Sequence, residues 1–198
     1  MREGGKSKML SLDPHRDSVI VVDVQNDFCP GGALAVPEGD KVIPPLNALV
    51  GRADCFIVAT RDWHPANHSS FTAQGGTWPI HCVAQTWGAD FHPALDRAPL
   101  QLIVSKATTP DHEAYSGFQR TSLAEILRER GVQRVLIGGL ATDYCVKATA
   151  LDARREGLEV IVLEDAIRGV EVNPGDCEQA IEEMKQAGCT FLRSDQIA

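Results

Sequence analysis

Apolar residues fall along this chain in two alternating patterns. Residues 18–22 form a continuous, mostly β-branched run, Ser-Val-Ile-Val-Val, as a strand buried on both faces requires. Similar short runs at 55–60, 102–105, 134–138, 158–163 and 189–192 predict five further strands. Between them the spacing becomes helical. Val42, Ile43, Leu46, Leu49 and Val50 share one face, with Pro44 and Pro45 marking where regular helix begins. Ser122 and Glu125 have capping-box spacing ahead of Leu123, Ile126 and Leu127, and Gly131 follows. Thr142 is expected to cap a helix reaching about Glu156, closed by Gly157. Asn173 as N-cap with Pro174 at the first helical position predicts a last helix. Its apolar face is Cys177, Ala180, Ile181 and Met184, and Gly188 ends it. Strand and helix in alternation predict one α/β domain over residues 17–198, with a mainly parallel sheet of about six strands covered on both faces. Residues 1–16 are polar and read as a frayed or extended tail.

Composition narrows the partners. The 198 residues carry a net charge of −8, without the basic footprint that nucleic acid or an anionic membrane surface demands. No apolar run approaches the roughly 20 residues of a bilayer span, and the N-terminal segment lacks a signal-peptide core. The six cysteines, at 29, 55, 82, 145, 177 and 189, include no C-x-x-C pair. Reduced thiols in a cytoplasmic protein are the expectation, rather than a disulfide framework.

Open parallel sheets bind ligands beyond the carboxyl ends of their strands. Asp23 follows the first strand, Arg61-Asp62-Trp63-His64 the second and Lys106 the third. The fourth leads through Gly138-Gly139-Leu-Ala-Thr-Asp-Tyr144 into Cys145. A lone helical cysteine reads as a buried hydrophobe, a lone lysine as a solvated one, and a strand-end aspartate as a loop cap. An acid, a base and a thiol on one sheet edge read instead as a catalytic constellation. Cys145 would lie about three residues into its helix, where free N–H groups and the dipole favour a thiolate. Asp62-x-His64 puts two ligand types on one side of an extended chain, and His81 lies further along the loop-rich segment 62–99. Such a set suits zinc, iron or manganese. On spacing alone, loop histidines bonded to backbone explain it equally well.

These residues resemble a known family. Asp23-Val-Gln-Asn-Asp27-Phe28-Cys29, Asp62-Trp63-His64-Pro65, Trp78-Pro-Ile-His81-Cys82-Val83, Lys106 and Gly139-Leu-Ala-Thr-Asp-Tyr-Cys145-Val are similar to motifs of the nicotinamidase/pyrazinamidase branch of the isochorismatase-like cysteine hydrolases. The likeness spans nearly everything after residue 17. It implies a three-layer α/β/α sandwich. It implies Cys145 as nucleophile, Asp23 as general acid/base and Lys106 as third member of the triad. Backbone N–H groups of Ala141 and Cys145 would form the oxyanion hole, with a cis peptide bond between Leu140 and Ala141. Asp62, His64 and His81 would hold one divalent metal ion, zinc ahead of iron or manganese. His68 and Ser70 would lie near it. Phe28, Leu34, Trp78 and Tyr115 would line a pocket for a small aromatic amide. The oligomeric state, a homo-oligomer included, is left open.

The activity implied is hydrolysis of nicotinamide to nicotinate and ammonia through a thioester, the metal orienting the ring nitrogen. One rival is a hydrolase of another small amide or an N-carbamoyl compound, against which the metal residues argue. Another is a non-catalytic metal-binding protein, against which the intact Asp23, Lys106 and Cys145 argue.

Overall fold

The structure is a computed structural model in which residues 9–198 are described. Six strands, β1 (Asp17–Val22), β2 (Phe56–Asp62), β3 (Leu102–Lys106), β4 (Arg134–Leu140), β5 (Glu159–Arg168) and β6 (Thr190–Leu192), form one sheet in the order β3-β2-β1-β4-β5-β6. Every pairing is parallel.

Side-chain alternation builds a core on each face. Val19, Val21, Ile57, Ala59, Leu136 and Ile161 pack on one side with Leu46 and Leu49 of α1 (Ile43–Val50). Ile20, Val22, Val58, Val135, Ile137 and Val160 pack on the other, against three helices. These are α2 (Leu123–Glu129), α3 (Lys147–Arg155) and α4 (Asp176–Gln186). The fold is the expected three-layer α/β/α sandwich. Among the described residues no helix is long and apolar enough to cross a membrane.

Several boundaries differ from the sequence reading. Strands β2 and β3 run on through Asp62 and Lys106, which become register partners. Their opposite charges meet across the sheet, so two polar residues are stable at strand ends. Strand β5 continues to Arg168, past an irregularity between Ile137 and Gly139 of its neighbour. Ser122 precedes α2 but makes no side-chain cap. The Thr121 hydroxyl accepts from the Leu123 N–H instead, at 3.3 Å. Asn173 does not cap α4. Its N–H donates to Asp176 Oδ2 at 2.8 Å, closing a turn, and the cap is Gly175 at φ +96. Residues 1–8 of the expected tail lie outside the described residues. Leu10 runs beside Ile197, taking a bond from the Ala198 N–H at 2.7 Å and giving one to the Gln196 carbonyl at 2.8 Å.

Candidate active site

Three strand ends deliver the polar groups to one point. Asp23 leaves β1 at φ +48, its N–H bonded to the Thr60 carbonyl at 3.1 Å. Lys106 ends β3. At the end of β4, Gly139 sits at φ +129, and a Cβ there would lie 2.0 Å from the Val22 carbonyl oxygen. Only glycine lets β4 press so closely on β1 at this corner. The Leu140–Ala141 peptide is cis, as the resemblance implies.

Thr142 is not a cap. Ala141 holds that position in extended conformation, and residues Thr142–Val146 form a π-helical turn leading into α3. The Ala141 carbonyl accepts from Tyr144 N–H at 3.1 Å and from Val146 N–H at 3.0 Å. The wide turn passes over the Cys145 N–H, whose α-helical partner would be that same carbonyl.

Asp23, Lys106 and Cys145 come together in the interior. Lys106 Nζ stands 2.9 Å from Asp23 Oδ2 and 3.4 Å from Cys145 Sγ. It also donates to the Ala114 carbonyl at 3.1 Å and to Asp62 Oδ1. Asp23 Oδ1 accepts from the Thr60 hydroxyl at 2.7 Å. Burial sets the electrostatics. It pushes the Asp23 carboxyl above its ordinary range, outweighing the pull of Lys106. It pushes the Cys145 thiol well up, with Lys106 opposing and Asp23 reinforcing. For Lys106 burial opposes the charge, but Asp23 and Asp62 overcome it and hold the ammonium firmly protonated. Burial thus opposes the thiolate that the helix position favours, so a base at hand would assist the ionisation of Cys145.

Beside this trio, Asp62, His64 and His81 bring ligand atoms within 4.8 Å of one another. Chain pairing arranges them: His64 N–H bonds to the Cys82 carbonyl at 3.0 Å, and Ala84 N–H to the His64 carbonyl at 2.8 Å. Each histidine spends Nδ1 on a backbone carbonyl, His64 on Ala107 at 3.2 Å and His81 on Pro79 at 2.7 Å. A carbonyl only accepts, so both Nδ1 atoms carry the proton and both Nε2 atoms keep a free lone pair. His64 Nε2 is buried with no hydrogen-bond partner among the described residues, 3.6 Å from Asp62 Oδ2. A buried orphan facing a carboxylate and a second imidazole fits a divalent cation well.

His68 and Ser70 are nearby but differently engaged. His68 Nε2 donates to the His112 carbonyl at 3.0 Å, which leaves Nδ1 to accept from Ser70 Oγ at 2.7 Å. Both nitrogens of His68 are thus occupied.

Phe28, Leu34, Trp78 and Tyr115 all line one cavity with Ala141, Cys145, Asp62 and His81, about 390 Å³ with its mouth included. Its wall is braced by the Trp78 indole N–H donating to Tyr115 Oη at 3.0 Å and by Tyr144 edge-on to Trp78. Glu113, Tyr144 and Val170 also line it and escaped the sequence reading. Tyr144, next to the nucleophile candidate, could have been found; Glu113 and Val170 arrive from distant loops with no local signal. Thr60, which binds Asp23, is also absent from the sequence-based site.

The comparisons agree with this picture. An isochorismatase domain model matches residues 18–196. The nicotinamidase of Escherichia coli (strain K12) is 41% identical, covering 88% of this chain and 93% of its own. The nicotinamidase/pyrazinamidase of Mycobacterium tuberculosis is 42% identical over 89% and 98%. Among solved structures, the pyrazinamidase of Pyrococcus horikoshii in complex with zinc matches with TM-score 0.84 and 54% identity, over 90% of this chain and 99% of that one. PnC1 of L. infantum in complex with nicotinate matches with TM-score 0.92 and 35% identity, over 96% and 98%. Fold and matches make this an enzyme, a hydrolase built on the α/β/α sandwich. The chain belongs to the isochorismatase family, and its curated relatives put it in the nicotinamidase/pyrazinamidase branch.

Proposed function

We propose that this protein is a metal-dependent cysteine amidohydrolase converting nicotinamide to nicotinate and ammonia, and pyrazinamide to pyrazinoate. One observation carries the reading. Cys145 Sγ lies 3.4 Å from a Lys106 ammonium shared with Asp23, in a cavity that Asp62 and His81 also line. The zinc and nicotinate bound to the two solved relatives support it. The six unpaired cysteines suit a reducing, cytoplasmic setting.

Asp23 takes the Cys145 proton as sulfur attacks the carboxamide carbon. Lys106 stabilises the anionic charge as it moves between carboxylate and thiolate. The oxygen of the tetrahedral adduct is held by the N–H groups of Ala141 and Cys145, an arrangement typically worth about 3–4 kcal/mol per donor. Asp23 then protonates the departing nitrogen as the C–N bond breaks, giving ammonia and a thioester on Cys145. Asp23, again ionised, removes a proton from water, whose oxygen attacks the thioester carbon. Sulfur leaves as the acid is released, and the proton returns to Cys145. Asp62, His64 and His81 would hold the divalent ion, which supplies a Lewis-acidic anchor for the ring nitrogen, chiefly an orienting role. The aromatic side chains of Phe28, Trp78 and Tyr115, which line the same cavity as Cys145, would confine the ring beside the thiol.

The test is release of ammonia and acid product from nicotinamide, pyrazinamide and benzamide, measured side by side. Turnover of the two ring-nitrogen amides with poor turnover of benzamide is expected. Benzamide turned over as well as nicotinamide would overturn the ring-anchoring reading.

A further inference from the structure

The segment that opens with Asp23 carries further buried polar side chains that the chemistry above does not use, Gln25 and Asp27 among them. Gln25 is fully buried. Its Oε1 accepts from the Asp62 N–H at 2.8 Å, and its Nε2 donates to the Asp62 carbonyl at 2.8 Å and to the Ala89 carbonyl at 2.9 Å. The side-chain amide grips the Asp62 main chain from both sides, as a neighbouring strand would. Two residues on, Asp27 Oδ2 accepts from the Cys82 N–H at 2.7 Å and Oδ1 from the Ala33 N–H at 3.0 Å. Cys82 directly follows His81 and sits at φ +46, where an L residue needs outside support. Gly88 closes over the same carboxylate; a Cβ there would lie 2.0 Å from Asp27 Oδ2.

We propose that Gln25 and Asp27 are positioning residues for the metal site, Gln25 fixing the backbone of Asp62 and Asp27 fixing the backbone beside His81. The inference rests on the metal reading above and extends it to two residues with no ligand atom in the site. Its physical basis is directional. A carboxylate on a short side chain points where its main chain sends it, and metal sites tolerate errors of only a few tenths of an ångström. Asp62 also meets Lys106 through Oδ1. A loosened Asp62 backbone would therefore misplace a ligand and the ammonium's partner together. His81 has one anchoring bond of its own, to Pro79, and the Asp27–Cys82 bond supplies the second constraint on its turn.

Zinc dissociation constants separate this from a merely structural role. They are to be measured by chelator competition on wild type, Gln25→Met and Asp27→Asn, each confirmed folded without metal. Leu127→Ala, a truncation in the core behind α2, serves as a destabilised reference. Loss of an outer partner typically weakens metal binding about 10- to 100-fold, so both variants are expected in that range, with Leu127→Ala within about twofold of wild type. Excess zinc should restore much of the lost kcat in both. Should Gln25→Met fail to fold, Gln25→Glu, which keeps the acceptor for the Asp62 N–H, and Asp27→Asn carry the test. Wild-type affinity in folded Gln25 and Asp27 variants, or an equal loss in Leu127→Ala, overturns the proposal alone. A wild-type protein without zinc affinity overturns the metal reading and this proposal with it.

Discussion

Replacing Thr60 with valine keeps the shape of the side chain and removes one hydrogen bond to the proposed base. The Thr60 hydroxyl donates to Asp23 Oδ1 at 2.7 Å, and both residues are fully buried. A donor to a carboxylate favours the ionised form, so its loss raises the Asp23 pKa further above a range that burial has already lifted. A bond to a charged group is worth about 1.5–3 kcal/mol, so ionising Asp23 becomes at least about tenfold less favourable without it. Asp23 must be ionised to take the Cys145 proton. The acidic limb of kcat/KM should therefore move to higher pH, with kcat/KM on that limb falling at least about tenfold. The limb belongs to the Asp23–Lys106–Cys145 cluster as a unit, so the shift rather than the absolute position is the prediction. Ammonia release from nicotinamide across the acidic and neutral range reads it directly. Thr60→Ser, which keeps the hydroxyl, should hold the wild-type limb. An unmoved or lowered limb in folded Thr60→Val would refute the assignment of Asp23 as base.

Cys145→Ala and Cys145→Ser should fold and bind substrate yet show no turnover above background, because a serine hydroxyl is far harder to ionise than a thiol. Product release by ammonia assay, with circular dichroism as the folding control, decides this. Chelation should abolish nicotinamide hydrolysis and re-addition of zinc should restore it; equal turnover with and without metal would remove the metal from the account. Gly139→Ala should cost more than about 4 kcal/mol or prevent folding, since its Cβ meets the Val22 carbonyl oxygen at 2.0 Å in a left-handed conformation. A denaturation midpoint near wild type would contradict that packing.

Much of the fold was legible because burial on both faces leaves an unambiguous mark. The run at 18–22 has no polar face to place, so only a central strand fits it. What misled was local polar chemistry. Asn173-Pro174 has the composition of a helix start, but Asp176 captures the Asn173 N–H and the helix waits for Gly175. Ser122 and Glu125 have capping-box spacing, yet Thr121, one residue earlier, takes the bond. Asp62 and Lys106 looked like loop residues because strands rarely end in buried charges, and only their pairing across β2 and β3 makes that tolerable. The candidate site was readable as a set of strand ends, since β3 finishes on Lys106 while Asp23 follows β1 directly and Cys145 follows β4 within one turn. The supporting shell was not. Thr60, Gln25 and the Ala107 carbonyl act through contacts between segments distant in sequence, and no spacing records them. The Pro79 carbonyl is only two residues from His81, but a backbone acceptor leaves no side-chain signal.

The central claim is amide hydrolysis by the Cys145 thiol, and wild type and Cys145→Ala assayed together on nicotinamide test it most directly. The account predicts equal amounts of ammonia and nicotinate from the wild-type protein and neither from folded Cys145→Ala. No product from metal-loaded wild type, or turnover retained in Cys145→Ala, would contradict it.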